Sequence, residues 1–536
     1  MTLNFNLIDE PWIPVVPCNG PPRDVSLCDA LLRAHEWREV YDNSPLVTIA
    51  LHRLLLAILY RALPARTEVE WDELWEELWK AKRLPEAPIV DYLDQWRDRF
   101  DLFSETHPFY QTAGLTIGSA TSSTDGASPV SRLAHELASG NNATLFDHGH
   151  DIMIGISASR AARLLLAAQA FSMGGGISGN AVLNEQQFRR PNAQHGLLVS
   201  GVIVWVEGDS LRETLLLNLT PEDMQSNVLP PWETPPTMPV DVIHAADDIT
   251  ARGRVDLLTW QARLIRLVGE HSVAGPFVRR VYCTQGRPAG DIGIVFDPMK
   301  SYIRTDERGY LPIRFNSDHA SWADYHSLLA LAPSKGKRPD AFAFIADQPG
   351  LIPRDRRYRL HAVGMVNDQA KVNLWRHDRV FVSPAVLGDP ALIETLGDLY
   401  IETEAAGRRL RAAVLRLAYL FVVPDVENID EATMKRLFNP KPRETDIVEA
   451  QTIAKSVDPC PTFWTRLEDP FHRLLNELTA DPDSAATQWR KVLITEADRA
   501  FAQAHNALGT SARALRAVAR VNPFFGDRPV AQEVTT

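Results

Sequence analysis

The sequence predicts an α+β fold in at least two parts. A chain of 536 residues is too long for a single simple core. Up to Val382, short β-prone runs alternate with apolar residues at helical spacing, whereas from Pro390 onward helical spacing dominates. Antiparallel helices joined by short loops pack as a bundle. We therefore expect a large mixed α/β domain over residues 1–382 and a helical bundle over residues 383–536.

Composition is that of a soluble globular protein, with 45% hydrophobic and 23% charged residues. We expect no membrane segment, because no run of about 18 uncharged apolar residues occurs. We expect no signal peptide, because the N-terminus lacks a basic segment followed by an apolar one. The four cysteines are too widely spaced for a zinc or redox pair, which predicts a cytoplasmic protein without disulfides.

The net charge of −12 argues against a protein that coats nucleic acid by bulk attraction. It leaves room for local basic contacts, and a subunit held on nucleic acid by other proteins needs few of them.

The mixed domain contains helical stripes and short strand patterns in alternation. A tryptophan stripe within the second helix is more typical of a core than of a binding platform. Helices are predicted at Leu46–Leu63, Glu68–Lys82 and Ser157–Ser172. Strands are predicted at Leu3–Leu7, Gly196–Glu207, Ile292–Phe296 and Ala341–Ile345, and before the basic turn at Arg287.

A glycine segment follows the third helix, with Gly174, Gly175, Gly176 and Gly179 in the series GGGISG. The spacing matches G-x-G-x-x-G, but a dinucleotide site needs a strand before it, and here a helix precedes it. Bare main chain can approach another backbone closely or offer N–H groups to phosphates or base edges. Arg189 and Arg190 lie shortly after it. An ordinary flexible turn is equally compatible with the pattern.

A hairpin is predicted over Leu360–Val380, where β-prone residues flank a short polar break. Asn367 and Asp368 have the chemistry of a turn-forming pair, which places Gln369 and Ala370 at the tip. From this stretch alone, a solvated hairpin without a function is the simplest interpretation.

A polar loop contains Asp147, His148, His150 and Asp151, which are metal-ligand types. Adjacent loop positions seldom converge on one ion, and no i, i+4 helical pair supports them, so we predict no metal site.

The C-terminal region contains a series of helices. One carries an apolar stripe from Leu410 to Phe421 and ends at Pro424. Further helices are predicted at Glu431–Phe438, Asp446–Ser456, Phe463–Leu478, Ser484–Leu508 and Ser511–Val521.

Taken in order, these segments resemble the CasA family, the large subunits of type I-E CRISPR Cascade complexes. The resemblance extends over most of the chain, and the series is more specific than any one motif. It rests on LIDEPWIPV, HPFYQT, the Asn141–Phe146 loop, GGGISG, VNDQA and RHDRVFV, followed by the helical region.

The resemblance implies a mixed α/β domain followed by a four-helix bundle. It implies a protein that is not an enzyme and uses no cofactor. Such a subunit recognises the protospacer-adjacent motif in double-stranded DNA, helps to open the duplex for guide RNA, and recruits a nuclease-helicase. Its partners are guide RNA, target DNA, the other Cascade subunits and that nuclease-helicase.

The resemblance also assigns roles to residues of the hairpin. Gln369 stands where the family has a glutamine that wedges the strands apart. Ala370 stands where a small residue contacts the motif from the minor groove. Asp368 replaces a frequent asparagine, and its carboxylate is unfavourable beside phosphates.

Outside the hairpin, the resemblance implies that Gly174, Gly175, Gly176 and Gly179 reach the minor groove. The family's lysine finger has no lysine counterpart here, and Gln285 or Arg287 stands in its region. Asn142 and Phe146 match the loop that docks on the guide RNA and the neighbouring subunit. Cys283 is alone where some relatives have a cysteine cluster, so no zinc site is expected.

Two other interpretations of the sequence stay open at this point. The first is an enzyme that holds a phosphorylated ligand at the glycine segment. The second is an architectural subunit of the complex without direct DNA contact.

Overall fold

The computed structural model describes residues 3–63, 68–118, 126–134, 155–176, 179–189, 192–221, 229–235, 251–287, 296–307, 309–315, 328–329, 335–348, 350–368, 371–441 and 443–521. For Glu68, Asn192 and residues 366–368 and 371–374, only the main chain is described. The fold is α+β with a helical C-terminal region, as predicted.

The chain divides into two compact units. The first runs to Phe315 and includes Gly336–Pro353 and Tyr358–Arg379, and the second contains the chain from Val380 onward together with Arg354–Arg357. The sequence placed the boundary after residue 382, within the same strand.

The first unit has eight helices among its described residues: α1 (Leu27–Leu32), α2 (Pro45–Ala62), α3 (Glu68–Lys80), α4 (Glu86–Gln95), α5 (Ala158–Phe171), α6 (Leu211–Asn218), α7 (Arg254–Leu258) and α8 (Asp340–Ala346). Short 3₁₀ helices span Arg97–Arg99, Val130–Leu133 and Pro231–Glu233.

The described strands are β1 (Ile13–Pro17), β2 (Arg23–Val25), β3 (Trp37–Val40), β4 (Thr116–Gly118), β5 (Ser128–Pro129), β6 (Ile156–Ser157), β7 (Gly175–Gly176), β8 (Asn180–Leu183), β9 (Gln186–Phe188), β10 (Asn192–Ala193), β11 (Ile203–Glu207), β12 (Arg263–Ser272), β13 (Gly275–Gln285), β14 (Tyr302–Thr305), β15 (Gly309–Pro312), β16 (Gly336–Lys337), β17 (Tyr358–Asp368) and β18 (Lys371–Val382). They form sheets with the orders β2-β1-β3, β4-β8-β9, β10-β7, β11-β17-β18, β12-β13-β5 and β15-β14-β16, and β6 also pairs with β13.

Helix α2 lies in the core of the first unit. Pro45 occupies its first turn, where a missing N–H costs nothing, and nearly all of its side chains are buried. By length and composition alone this helix could cross a membrane, but 89% of that stretch is buried inside the fold. Core helices of soluble proteins commonly have this composition.

Helix α5 leads directly into the glycine segment. Ser157 caps it by accepting a hydrogen bond from the Arg160 N–H, and its inner face is made of alanine and leucine with Phe171. These bounds confirm the helix predicted at Ser157–Ser172.

In the second unit, the described helices are α9 (Pro384–Gly388), α10 (Pro390–Val422), α11 (Glu431–Phe438), α12 (Thr445–Ser456), α13 (Cys460–Arg466), α14 (Glu468–Glu477), α15 (Pro482–Ala507) and α16 (Ala512–Arg520). Helices α12, α15 and α16 pack on α10, which is 33 residues long. The buried Trp489 of α15 donates a hydrogen bond of 3.0 Å to Thr403 of α10. A side chain at Gly407 would lie 2.9 Å from Trp464, so glycine permits the close approach of α13.

Several predicted elements were wrong in type or extent. Leu3–Leu7 forms only an isolated bridge at Asn6, because the Asp101 carboxylate takes the Phe5 N–H that a strand would use. Ala341–Ile345 lies in helix α8, because a short apolar run does not distinguish a strand from a buried helix. The predicted strand Gly196–Glu207 begins only at Ile203, after Gly201 with φ +98°. Most of Ile292–Phe296 lies outside the described residues.

Candidate nucleic-acid interface

The four glycines of the glycine segment fall into two pairs. A Cβ atom added at Gly174 would lie 3.1 Å from the Ala193 carbonyl oxygen. Gly179 has φ +89°, and a Cβ there would lie 2.7 Å from the Gly118 carbonyl oxygen. Gly175 and Gly176 are exposed, and an added Cβ would meet nothing within 4 Å at either position. The first pair therefore serves the fold, whereas the second leaves bare main chain at the surface.

Gly175 and Gly176 form strand β7, which pairs antiparallel with Asn192–Ala193 of β10. Within the described part of the chain, no strand pairs with the other edge of β7. The segment comes after the C-terminus of α5, which carries the partial negative charge of the helix dipole. This geometry is unlike a phosphate site, where anions bind at a helix N-terminus.

A buried polar network lies beneath the glycine segment. Gln285 is only 2% exposed, and its side-chain Oε1 accepts a hydrogen bond of 2.8 Å from the Gln194 N–H. Arg263, opposite Gln285 in the β12–β13 hairpin, donates 2.7 Å to the Met173 carbonyl. Gln169 of α5 exchanges two hydrogen bonds with the main chain of Arg263. The network therefore ties one end of the β7–β10 pair to the β12–β13 hairpin, through Met173 before β7 and Gln194 after β10.

Burial lowers the pKa of the Arg263 guanidinium, which is the direction expected when a cation loses water. Its hydrogen-bond acceptors among the described residues are two main-chain carbonyls and, at 3.5 Å, Gln285 Oε1. Sequence reasoning missed Arg263. The available signal was an arginine in the buried pattern RLIRLV, where a charge needs a specific reason to be present.

Of the two residues predicted to stand in for the lysine finger, only Arg287 has a partly exposed side chain, at 36%. Arg287 forms a bidentate ion pair with Asp256, at 2.6 and 3.0 Å, and lies 3.9 Å from the centre of the Trp260 ring. Gln285 is buried and would have to leave its hydrogen bonds in order to reach a ligand. Both assignments to DNA stay predictions.

The predicted hairpin is formed by β17 and β18, which join β11 in one sheet. The turn was predicted at Asn367–Asp368, but β17 continues through Asp368 and β18 begins at Lys371. The main chain of Asp368 therefore ends the strand, and its side chain is not described. Gln369 and Ala370, which separate the strands, lie outside the described residues, as do Asn142 and Phe146.

No group of three or more metal-ligand side chains suited to holding an ion occurs among the described residues. Cys283 is a free, buried cysteine within β13. The loop with Asp147, His148, His150 and Asp151 lies outside the described residues, so the prediction about its ligands stays a prediction.

Comparison with known proteins identifies relatives along almost the whole chain. The profile of the family "CRISPR-associated protein Cse1" matches residues 6–504. The CRISPR-associated protein CasA/Cse1 of Thermus thermophilus is 32% identical over 533 residues, which cover 97% of this chain and 96% of that protein.

Solved structures share the fold. A crystal structure of CasA from Thermus thermophilus matches with a TM-score of 0.76 at 28% identity, covering 96% of this chain and 97% of that one. Cse1 from Acidimicrobium ferrooxidans matches with a TM-score of 0.74 at 26% identity, covering 97% and 96%. A chain of a CRISPR RNA-guided surveillance complex has the same fold, with a TM-score of 0.74 at 20% identity over 97% and 98%. Given the profile match and the sequence identity along nearly its full length, this chain belongs to the CRISPR-associated protein Cse1 family.

Proposed function

We propose that the protein is the large subunit of a type I-E CRISPR Cascade complex and acts in the cytoplasm without chemistry of its own. In this role it recognises the protospacer-adjacent motif in duplex DNA, opens the duplex for the guide RNA, and recruits the nuclease-helicase. Family membership supports the proposal, as does the fold shared with a chain of an RNA-guided surveillance complex. Sequence reading is then divided between a protein that checks a short motif and base pairing that reads the rest.

The exposed main chain of β7 is the observation that carries the DNA contact. The minor groove is about 6 Å wide and presents acceptor atoms on its floor for every base pair. Gly175 and Gly176 have no side chains to block entry, and one edge of β7 is free of strand pairing within the described chain. Main-chain N–H groups suit those acceptors and discriminate weakly between base pairs, so the subunit would accept several related motifs.

The hairpin supplies the wedge in this proposal. Its strands are long, at 11 and 12 residues, and belong to a sheet with β11, so the two residues between them are carried on a supported element. Gln369 would insert at the motif, and Ala370 would leave room against the groove. Opening a base step costs a few kcal/mol, which contacts elsewhere must offset. The Asp368 carboxylate would repel phosphates and would add nothing to that offset.

We assign Arg287 to the flank of the DNA site. Its charge is already balanced by Asp256, so its contribution to the attraction of phosphates is small while that pair persists. Gln285 enters the proposal through the network that holds the Gln194 N–H beside β7. Asn142 and Phe146 would dock the subunit on the guide RNA and its neighbour, as the family resemblance implies.

The test exploits a position where the fold tolerates a side chain. Gly176→Val adds a branched side chain in open space at a residue without positive φ, and Gly350→Val does the same at another open position. In the assembled complex with guide RNA, Gly176→Val is expected to weaken target duplex binding by about 10-fold or more, which corresponds to about 1.4 kcal/mol. Gly350→Val is expected to bind as wild type.

Equal target binding by the two variants would contradict a groove contact by β7 and would favour the architectural subunit. Gln369→Ala tests the wedge separately: it is expected to reduce strand opening, followed with a fluorescent base beside the motif, while complex assembly stays unchanged. Phe146→Ala is expected to reduce incorporation of the subunit instead, measured by size-exclusion chromatography.

A further inference from the structure

A chain of hydrogen bonds crosses all three strands of the β11-β17-β18 sheet. His361 of β17 contacts the Glu207 carboxylate of β11 through Nε2. Through its other ring nitrogen, Nδ1, His361 contacts Nε2 of His377 on β18 at 2.9 Å. The Glu207 and His361 side chains are each only 2% exposed. The buried imidazole of the central strand, β17, therefore links the strands on either side of it, β11 and β18.

The Glu207 carboxylate is fixed from several sides. Arg38 donates to Oε1 at 2.9 Å and also donates to the Gly208 carbonyl, and Arg359 contacts the same Oε1. With two guanidiniums and an imidazole around it, the buried negative charge is compensated, as a charge in a core must be. The carboxylate is therefore an anchored end from which the chain of imidazoles extends.

The hydrogen bonds from Glu207 through His361 to His377 have one proton arrangement when both imidazoles are neutral. A carboxylate only accepts, so His361 must donate through Nε2, and its Nδ1 is then the acceptor for the N–H at His377 Nε2. Burial lowers the pKa of His361 well below its ordinary value and lowers that of His377 to about 3. A proton added to His377 would bind at its other nitrogen, Nδ1, and leave the link intact, whereas two protons on each ring would place two N–H groups face to face.

The two imidazole rings also pack on one aromatic ring, that of Trp205. The Trp205 ring centre lies 4.4 Å from that of His361 and 5.5 Å from that of His377. His52 of α2 also packs on Trp205, at 5.5 Å, and hydrogen-bonds to its own helix at Thr48. The imidazoles therefore have little freedom to rotate away from one another.

Other charged groups line the same region, namely Glu39 and Arg379, which lie 3.8 Å apart. The arrangement does not suit a metal ion. Zinc needs about 2.0–2.1 Å to each nitrogen, and tetrahedral ligands then lie farther apart than the 2.9 Å between the two ring nitrogens. The geometry is that of a hydrogen-bonded brace.

We propose that Glu207, His361 and His377 are positioning residues that fix β18 against β17 and thereby orient the two-residue connection that carries Gln369. This inference rests on the proposed function of the hairpin. The chain of hydrogen bonds acts at the base of the hairpin and contacts no DNA. Its loss would leave the tip residues chemically intact but free to vary in direction, so strand opening would fall without a change at the tip itself.

Two substitutions at His377 separate the hydrogen bond from ring packing. His377→Phe keeps a ring on Trp205 and removes the donor, whereas His377→Gln supplies an amide donor. Hydrogen exchange of the β17 and β18 amides is measured in the full-length protein, together with strand opening by the assembled complex. His505→Phe, in α15 of the other unit and also half-buried, is the matched control.

We expect His377→Phe to speed exchange in β18 by about 10-fold, the effect of one lost buried hydrogen bond, and to slow strand opening by a similar factor. His377→Gln should restore both toward wild type, and His505→Phe should change neither. Unchanged exchange in His377→Phe would overturn the positioning role, whatever the hairpin does.

The two failures are distinguishable. If exchange rises in His377→Phe while strand opening is unaffected, and Gln369→Ala still impairs opening, the brace does not orient the tip and the inference is overturned. If Gln369→Ala is also without effect on opening, the proposed function of the hairpin fails, and the inference that depends on it fails as well.

Discussion

Replacing Arg263 with methionine tests whether the buried network holds the exposed strand β7 in place. Methionine keeps much of the length and apolar stem of arginine but removes every donor. The change eliminates the hydrogen bonds to the carbonyls of Met173, at 2.7 Å, and Ala262, at 2.8 Å. A buried carbonyl left unpaired costs about 1–3 kcal/mol. The Arg263 guanidinium has no carboxylate among its described partners, so keeping its charge buried is itself costly. Removing it therefore offsets part of the lost hydrogen-bond energy in the stability of the whole protein.

The expected result is therefore local. The melting temperature should change little, whereas amides at residues 173–176 and 193–194 should exchange about 30-fold faster, which corresponds to about 2 kcal/mol. Hydrogen exchange with mass spectrometry of the purified chain provides the measurement. Arg266→Met is the matched control, since Arg266 lies on the same strand but donates to the Leu115 carbonyl at 2.9 Å, away from β7.

Equal protection of β7 in the two variants would refute the assignment of Arg263 as its anchor. A large drop in melting temperature for Arg263→Met would mean instead that the network stabilises the whole unit, contrary to the local effect reasoned above.

Further predictions concern pH and packing. The pKa of His377 is lowered from an ordinary value of 6.5 to about 3 in the folded protein. Between these two pH values the unfolded chain binds more protons than the folded one, so stability should fall as pH drops from 6.5 toward 3. Allowing for its partial exposure, we expect a loss of about 1 kcal/mol between pH 7 and 5.5 in urea unfolding, and a shallower slope in His377→Gln. Gly179→Ala should lower the melting temperature for two reasons: the positive φ costs alanine about 1–2 kcal/mol, and the added Cβ would collide with the Gly118 carbonyl oxygen. An unchanged melting temperature would contradict that close approach. Thr403→Val should weaken the helical unit by about 1–2 kcal/mol in chemical unfolding, because Trp489 loses its buried acceptor, and no loss would mean that the indole finds another partner.

Local patterns predicted the elements whose formation depends on neighbouring residues. The helix at Ala158–Phe171 followed from apolar spacing, and the structure confirms that a helix precedes the glycines. The run at Ala341–Ile345 was misassigned because five apolar residues satisfy both a buried helix and a strand.

The buried networks depend on contacts between distant parts of the chain, which a single sequence does not display. The family resemblance named Gln285 as a possible DNA contact, yet the residue is buried, and its partner, the Gln194 N–H, is 91 residues away. The link between His361 and His377 left a weak signal. The two histidines are equally distant from Gln369 in the sequence, and such residues lie near one another across a hairpin.

The open space around Gly176 also makes it a place to attach a probe. A cysteine there would project into solvent without displacing a neighbouring atom, whereas three of the four natural cysteines are at least partly covered and only Cys18 is exposed. With Cys18 replaced by serine, a short photo-crosslinker at position 176 would label whatever molecule comes within a few ångströms of this strand.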